Sequence, residues 1–146
     1  MNTEQVLFAL IRSVICDETI QDEVKADCTP EMLESVCDLA TKHDLAHLAG
    51  HALSKLSLPE SEPLKIMKQA AFQAVVRQVK QNYEYINVCK VLEDGEIPYI
   101  PLKGTVLWEY YPASWMRTSC DMDILVHEEV LDTVVEALRR KYQYTN

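Results

Sequence analysis

The sequence predicts an α+β fold: an N-terminal helical region, then a small mixed sheet with flanking helices. Three observations predict it. Apolar residues recur at helical spacing through the first ninety-odd residues. At Ile97 the pattern changes to a short, β-prone stretch bounded by Gly95 and Gly104. Further on, Asp121 to Val126 alternates polar and apolar before an apolar finish, as a half-buried strand does. The division this implies is a helical region at 1–94 and a partial αβ core at 95–146, which could also form one continuous domain.

The elements follow in order. Val6, Leu7, Leu10, Ile11, Val14 and Ile15 make a first amphipathic helix. The acidic stretch from Asp17 to Glu23 reads as a break or a second short helix. Thr29-Pro30-Glu31 is a start signal, because Thr caps, Pro suits the first turn and Glu favours the positive helix end. Met32, Leu33, Val36, Leu39 and Ala40 form its buried stripe. After a bend near His43-Asp44, the residues Leu45, Leu48, Ala49, Ala52, Leu53 and Leu56 form another. Residues 58–63 compose a linker, with Ser61 placed to cap the next helix and Pro63 in its first turn. That long helix carries Leu64, Met67, Ala71, Ala74, Val75, Val79, Ile86, Cys89 and Leu92, and Gly95 supplies its stop.

Ile97 to Leu102 is a strand whose prolines place it at an edge. Thr105 to Tyr111 is a short helix ended by Pro112, and Asp121 to Val126 is the second strand. A last helix runs from Glu128 to Lys141, with Val130, Leu131, Val134, Val135 and Leu138 on its inner face. Tyr142 to Thr145 would suit the start of a third strand, where the chain stops. Two strands are marginal alone, so the sheet is expected to be truncated at its C-terminal side or completed by another chain. An exposed sheet edge also makes a homo-oligomer an expectation.

Composition narrows the function classes. At 146 residues and 48% hydrophobic, the chain can build a core. No apolar run approaches the ~18–20 residues of a membrane span. The start, Met1-Asn2-Thr3-Glu4-Gln5, lacks the basic region of a secretory signal, so a soluble, cytoplasmic protein without a membrane partner is expected. A net charge of -9 argues against extended nucleic-acid binding, which needs clustered Lys and Arg. The five cysteines (Cys16, Cys28, Cys37, Cys89 and Cys120) contain no C-x-x-C pair and read as buried, reduced thiols.

The chemistry centres on Cys120-Asp121-Met122-Asp123-Ile124-Leu125-Val126. On a strand Asp121 and Asp123 share one face while Met122 and Ile124 pack inward. Two carboxylates roughly 7 Å apart along the backbone can converge on divalent cations, and hard oxygen donors suit Mg²⁺ or Mn²⁺. Read alone, D-x-D is also what a pair of solvated aspartates at a strand end looks like. Upstream, a strand runs into Leu102-Lys103-Gly104-Thr105 and then a helix. There Gly104 permits close backbone approach and Lys103 can meet a phosphate, although an ordinary turn with a Thr cap has the same sequence.

Taken in order, Pro101-Leu102-Lys103-Gly104, Tyr110-Tyr111-Pro112, Arg117 and Asp121-Met122-Asp123-Ile124-Leu125-Val126 resemble the uncharacterised nucleotidyltransferase family of the DNA polymerase β-like nucleotidyltransferase superfamily. The detailed likeness covers about thirty residues, several motif elements in sequence. It implies a fold whose sheet carries the acidic residues while the glycine turn faces the phosphates of an NTP. By that match Asp121 and Asp123 are metal ligands and catalytic residues, and Lys103, Gly104 and Thr105 lie at the phosphates. Arg117 stabilises phosphate charge, or pairs structurally with an aspartate. The implied reaction moves a nucleoside monophosphate to an acceptor hydroxyl, and the acidic chain favours a small-molecule or protein acceptor. The sequence departs from the superfamily pattern in having Thr105 after Gly104 and a longer gap to Asp121. After Asp123, Glu128, Glu129, Asp132 and Glu136 sit on a helix, so none supplies the superfamily's third carboxylate. A non-catalytic nucleotide-binding or protein-interaction module is therefore the alternative.

Other candidates are weaker. His43, His47 and His51 fall at i, i+4 and i+8, a spacing that can hold zinc but lacks a carboxylate or Cys companion. His127 follows the strand and reads as a capping or supporting group rather than a general base. Tyr83, Tyr85, Tyr99, Trp108, Tyr110, Tyr111 and Trp115 can stack a base, although aromatics at such positions are more often core or interface residues, and Trp115 is the one to test for nucleotide contact.

Overall fold

The computed structural model describes residues 1–119 and 121–142. The chain divides into two compact units, Met1–Arg77 and Gln78–Asn146. The division falls inside the longest helix, ahead of that helix's end at Asp94.

The first unit is helical. Helix α1 (Thr3–Ile15) starts at Asn2, whose side chain accepts from the Gln5 amide at 2.8 Å while Gln5 reaches back to the Asn2 amide at 3.0 Å. The acidic stretch resolves into a break and then α2 (Asp22–Asp27). Helix α3 (Pro30–Lys42) begins as expected, with Thr29 Oγ1 accepting from the Met32 amide at 3.3 Å. The bend is real: Asp44 sits at φ 56° between α3 and α4 (Ala46–Ser54). Helices α3 and α4 pack on α1 around the fully buried Val6, Leu10, Val36 and Leu53. Helix α5 (Glu62–Asp94) contributes Leu64 and Met67, and crosses α4 so closely that a Cβ on Gly50 would fall 1.9 Å from the Met67 carbonyl oxygen.

Ser61 occupies the cap position of α5 only through its backbone, its carbonyl accepting from the Lys65 amide at 3.0 Å. Its hydroxyl is buried without a partner, so the expected side-chain cap is not made. Cys28, Cys37 and Cys89 are buried thiols, but Cys16 is exposed, and Cys120 lies outside the described residues.

The second unit begins with the remainder of α5, which ends in a six-residue hydrogen-bonded loop. The Ile97 amide donates to Leu92 O at 2.9 Å and the Glu96 amide to Glu93 O at 3.0 Å. The left-handed residue of this stop is Glu96, at φ 52°, and not Gly95. Ile97 and Leu92, the two residues the loop brings together, are both core residues here. Strands β1 (Tyr99–Pro101) and β2 (Ile124–Val126) pair antiparallel, with Tyr99 opposite Val126, Ile100 opposite Leu125 and Pro101 opposite Ile124. Between them lie α6 (Lys103–Leu107) and two single 3₁₀ turns, Trp108–Tyr110 and Ser114–Met116. After β2 comes a 3₁₀ turn (Glu128–Val130) and α7 (Leu131–Tyr142).

The inner hairpin residues Tyr99, Ile124 and Val126 pack with Val88, Val130 and Leu138 against Leu92, Ile97 and Val134. Leu131 and Val135, expected inside, are exposed, because the row that meets the hairpin is Val130 of the 3₁₀ turn with Val134 and Leu138 of α7. Strand β2 is also shorter than the segment from Asp121 to Val126. Tyr142 closes α7 instead of opening a strand, and residues 143–146 lie outside the described residues. No helix among the described residues is long and apolar enough to cross a membrane.

Candidate functional site

The turn after β1 and the segment before β2 lie against each other, and glycine is the reason. A Cβ on Gly104 would stand 2.6 Å from the Asp121 carbonyl oxygen and 3.2 Å from Ser119 Oγ. Real Cβ atoms do not approach a carbonyl oxygen that closely, so only glycine lets the two backbones meet here. Nearby, the Ser119 hydroxyl donates to the Asp121 carbonyl at 3.3 Å. Ladder bonding begins at Asp123, whose carbonyl accepts from the Leu102 amide at 2.8 Å.

Around this junction Arg117 Nη1 donates to Gly104 O at 3.4 Å, tying the loop between the motifs to the turn. Thr105 is buried, and its hydroxyl donates to Leu102 O at 3.3 Å across the turn. Lys103 is exposed and holds φ 26°, a backbone region that a lysine rarely occupies. The burial pattern from Asp121 to Val126 alternates outward and inward as the sequence implies, with Asp121, Asp123 and Leu125 outward. Among the described residues no ion pair engages either aspartate. Lys103, Gly104, Thr105, Arg117, Asp121 and Asp123 are thus brought into one neighbourhood, with Gly104 and Thr105 buried and the two carboxylates at the surface.

Among the described residues no group of three or more His, Cys, Asp or Glu side chains could hold a metal ion. Two outward carboxylates nevertheless suit Mg²⁺, which is commonly held by one or two protein carboxylates together with substrate phosphates and water. The donor set fits that cation and not zinc, which prefers N and S ligands in a closed tetrahedral set. The histidine row fails as a site for a geometric reason. His43 caps the end of α3, the chain turns at Asp44, and only His47 and His51 remain on α4, with His47 buried.

Behind the site stand Gln81, to which the sequence assigned no role, and several of the aromatics. On α5, the Gln81 side-chain amide donates a hydrogen bond to the Ser119 carbonyl. One turn on, Tyr85 meets Trp108 edge-on, with ring centroids 6.1 Å apart and an interplanar angle of 83°. Burial, reinforced by a hydrogen bond with Cys89, pushes the Tyr85 phenol up to about 12. Tyr99 is raised as well, first by its hydrogen bond with Cys89. Both phenols stay neutral. Trp115 is half-buried in the second 3₁₀ turn. His127 begins the turn after β2 but makes no side-chain cap, and it borders an open cavity with Pro98, Ile100, Leu125 and Glu128.

A helix-backed antiparallel hairpin with a glycine turn set against an acidic strand is an α+β arrangement of the nucleotidyltransferase type. A family model described as uncharacterised nucleotidyltransferase matches residues 30–143, and the chain belongs to that family. Comparison with curated proteins gives no match, and comparison with solved structures gives none. Nucleotidyl transfer is the generic chemistry that the family description carries.

Proposed function

We propose that the protein is a metal-dependent nucleotidyltransferase moving a nucleoside monophosphate from an NTP to a hydroxyl of a small molecule or a protein. One observation carries the reading: the Gly104 turn abuts the Asp121 backbone, so a glycine turn and two outward carboxylates share one neighbourhood. Asp121 and Asp123 would hold Mg²⁺ or Mn²⁺. A bound ion of this kind neutralises phosphate charge and lowers the pKa of an attacking hydroxyl. Lys103 supplies a surface cation for the triphosphate, and the backbone at Gly104 and Thr105 shapes the turn that seats it. Arg117 holds that turn through the Gly104 carbonyl and keeps further donors for phosphate oxygens. In the reaction the acceptor oxygen bonds to the α-phosphorus, the bond to the β-phosphate bridge breaks, and pyrophosphate leaves as the acceptor loses its proton.

The lack of a third metal-holding side chain among the described residues favours a second reading, nucleotide binding without turnover. One experiment separates the two. Each labelled NTP is incubated with the protein, Mg²⁺ or Mn²⁺, and pools of small-molecule and protein acceptors, and pyrophosphate release and label transfer are followed. Transfer that disappears in Asp121→Ala/Asp123→Ala supports the enzyme. Metal-dependent binding with no transfer supports the binding module, and transfer that survives the double substitution contradicts the assignment of the site.

A further inference from the structure

We propose that Gln81 is a positioning residue for the site, acting through Ser119 on the aspartate segment; this rests on the nucleotidyltransferase reading above. The connection is continuous. Helix α5 presents Gln81, whose amide group donates to the Ser119 carbonyl, and the Ser119 hydroxyl donates at 3.3 Å to the Asp121 carbonyl. Ser119 Oγ also lies on the Gly104 side of the junction, 3.2 Å from where a Cβ of that residue would stand. One side chain on a long helix therefore fixes the stretch of backbone that decides how far Asp121 lies from the turn.

The need for such a clasp follows from the local structure. The described residues between Arg117 and Asp123 (118, 119, 121 and 122) carry no helix or strand, so regular backbone bonding does not hold them. Strand pairing reaches back only to the Asp123 carbonyl. Upstream of it, Asp121 is held on the turn side by contact with Gly104, and Ser119 is held on the helix side by Gln81. Glutamine suits the second task, because it presents a neutral N–H donor at the end of a side chain long enough to span from the helix to the loop. A group that orients a metal-binding carboxylate from behind contributes to metal affinity without touching the ion, and its loss typically costs about ten- to a hundredfold in affinity or activity.

The test uses the whole 146-residue chain, in wild type and as Gln81→Met and Ser119→Ala. Gln81→Met keeps the length of the side chain and removes its donor. Ser119→Ala removes the next link, and carries the test if the first variant does not fold. Two quantities are read: amide hydrogen exchange across residues 117–123, and the Mg²⁺ concentration giving half-maximal thermal stabilisation by ATP, GTP, CTP or UTP.

The expected result is faster exchange in that segment, unchanged exchange in α1, and a metal midpoint raised about tenfold. A lower melting temperature with an unmoved metal midpoint in both variants would mean that the clasp is only structural, and overturns the proposal. Unmoved exchange in 117–123 overturns it too. A wild-type protein that no NTP stabilises in the presence of Mg²⁺ instead removes the underlying reading of the site, before any variant is examined.

Discussion

Gly50 and Gly104 do the same geometric job in different units. Each lets another stretch of backbone come where a Cβ would be, 1.9 Å from the Met67 carbonyl oxygen in one case and 2.6 Å from that of Asp121 in the other. In the first unit the close approach joins two helices and produces a packed core. In the second it joins a turn carrying Lys103 to a segment carrying two carboxylates, and so sets charged residues on adjoining stretches of backbone. The difference lies in what flanks the contact. Around Gly50 the neighbours are Ala49, Ala52 and Leu53, all buried, whereas around Gly104 the neighbouring Lys103, Asp121 and Asp123 reach the surface. Both glycines serve the packing of their units, and under the proposed function Gly104 serves the site as well.

The comparison can be broken at either glycine. The largest effect is expected from Gly50→Ala. Its Cβ would overlap backbone that cannot swing aside, so the first unit should lose about 3 kcal/mol or more in chemical denaturation, the upper end of overpacking costs. Next comes the Asp121→Ala/Asp123→Ala variant. It should fold, since both side chains are outward, but should lose the Mg²⁺-dependent nucleotide stabilisation, a gain of about 2.7 kcal/mol at ligand a hundredfold above Kd. Gly104→Ala should cost about 2 kcal/mol, because one carbonyl and a serine hydroxyl must shift, and should weaken nucleotide binding in the same titration. A Gly50→Ala protein still folded at low temperature should keep that binding, and equal losses at both glycines would erase the distinction drawn between them.

Smaller effects sharpen the picture. Glu96→Gly should stabilise the second unit by about 1 kcal/mol, since it relieves a left-handed backbone at the stop of α5. The smallest concerns His51, whose pKa is lowered by burial and then by Lys55. Below about pH 6.5, the ordinary value for a histidine, the unfolded chain takes up the proton more readily than the folded one. Stability of the first unit should therefore fall as the pH drops through that value towards the lower folded one, and His51→Asn should flatten that part of the profile.

Much of this was legible in the sequence, for identifiable reasons. The helices of the first unit follow from apolar spacing and from local signals such as Thr29 and the bend at Asp44, all encoded within a few residues. The alternation from Asp121 to Val126 gave the two carboxylates a common face, and the order of the L-K-G turn, Arg117 and D-x-D gave the family. What the sequence concealed depends on distant partners. Gln81 and Ser119 are 38 residues apart, and nothing in the local pattern marks the pair. Helix α5 carries apolar residues on opposite faces, so periodicity could not say that Val79 and Ile86 are exposed while Cys89 and Leu92 are buried. Gly95 looked like the left-handed stop because glycine is the usual choice, yet the hydrogen bonds around Leu92 put that conformation on Glu96.

The central claim is that the turn at Gly104 and the carboxylates of Asp121 and Asp123 serve one cation and its nucleotide. It is tested most directly by adding Mn²⁺ with a non-hydrolysable NTP analogue and following paramagnetic broadening of assigned backbone amides. The account predicts that Gly104 and Thr105 broaden together with Asp121 and Asp123, at the same Mn²⁺ concentration, while α1 amides stay sharp. Broadening confined to the aspartates, or found at none of these residues, would contradict it.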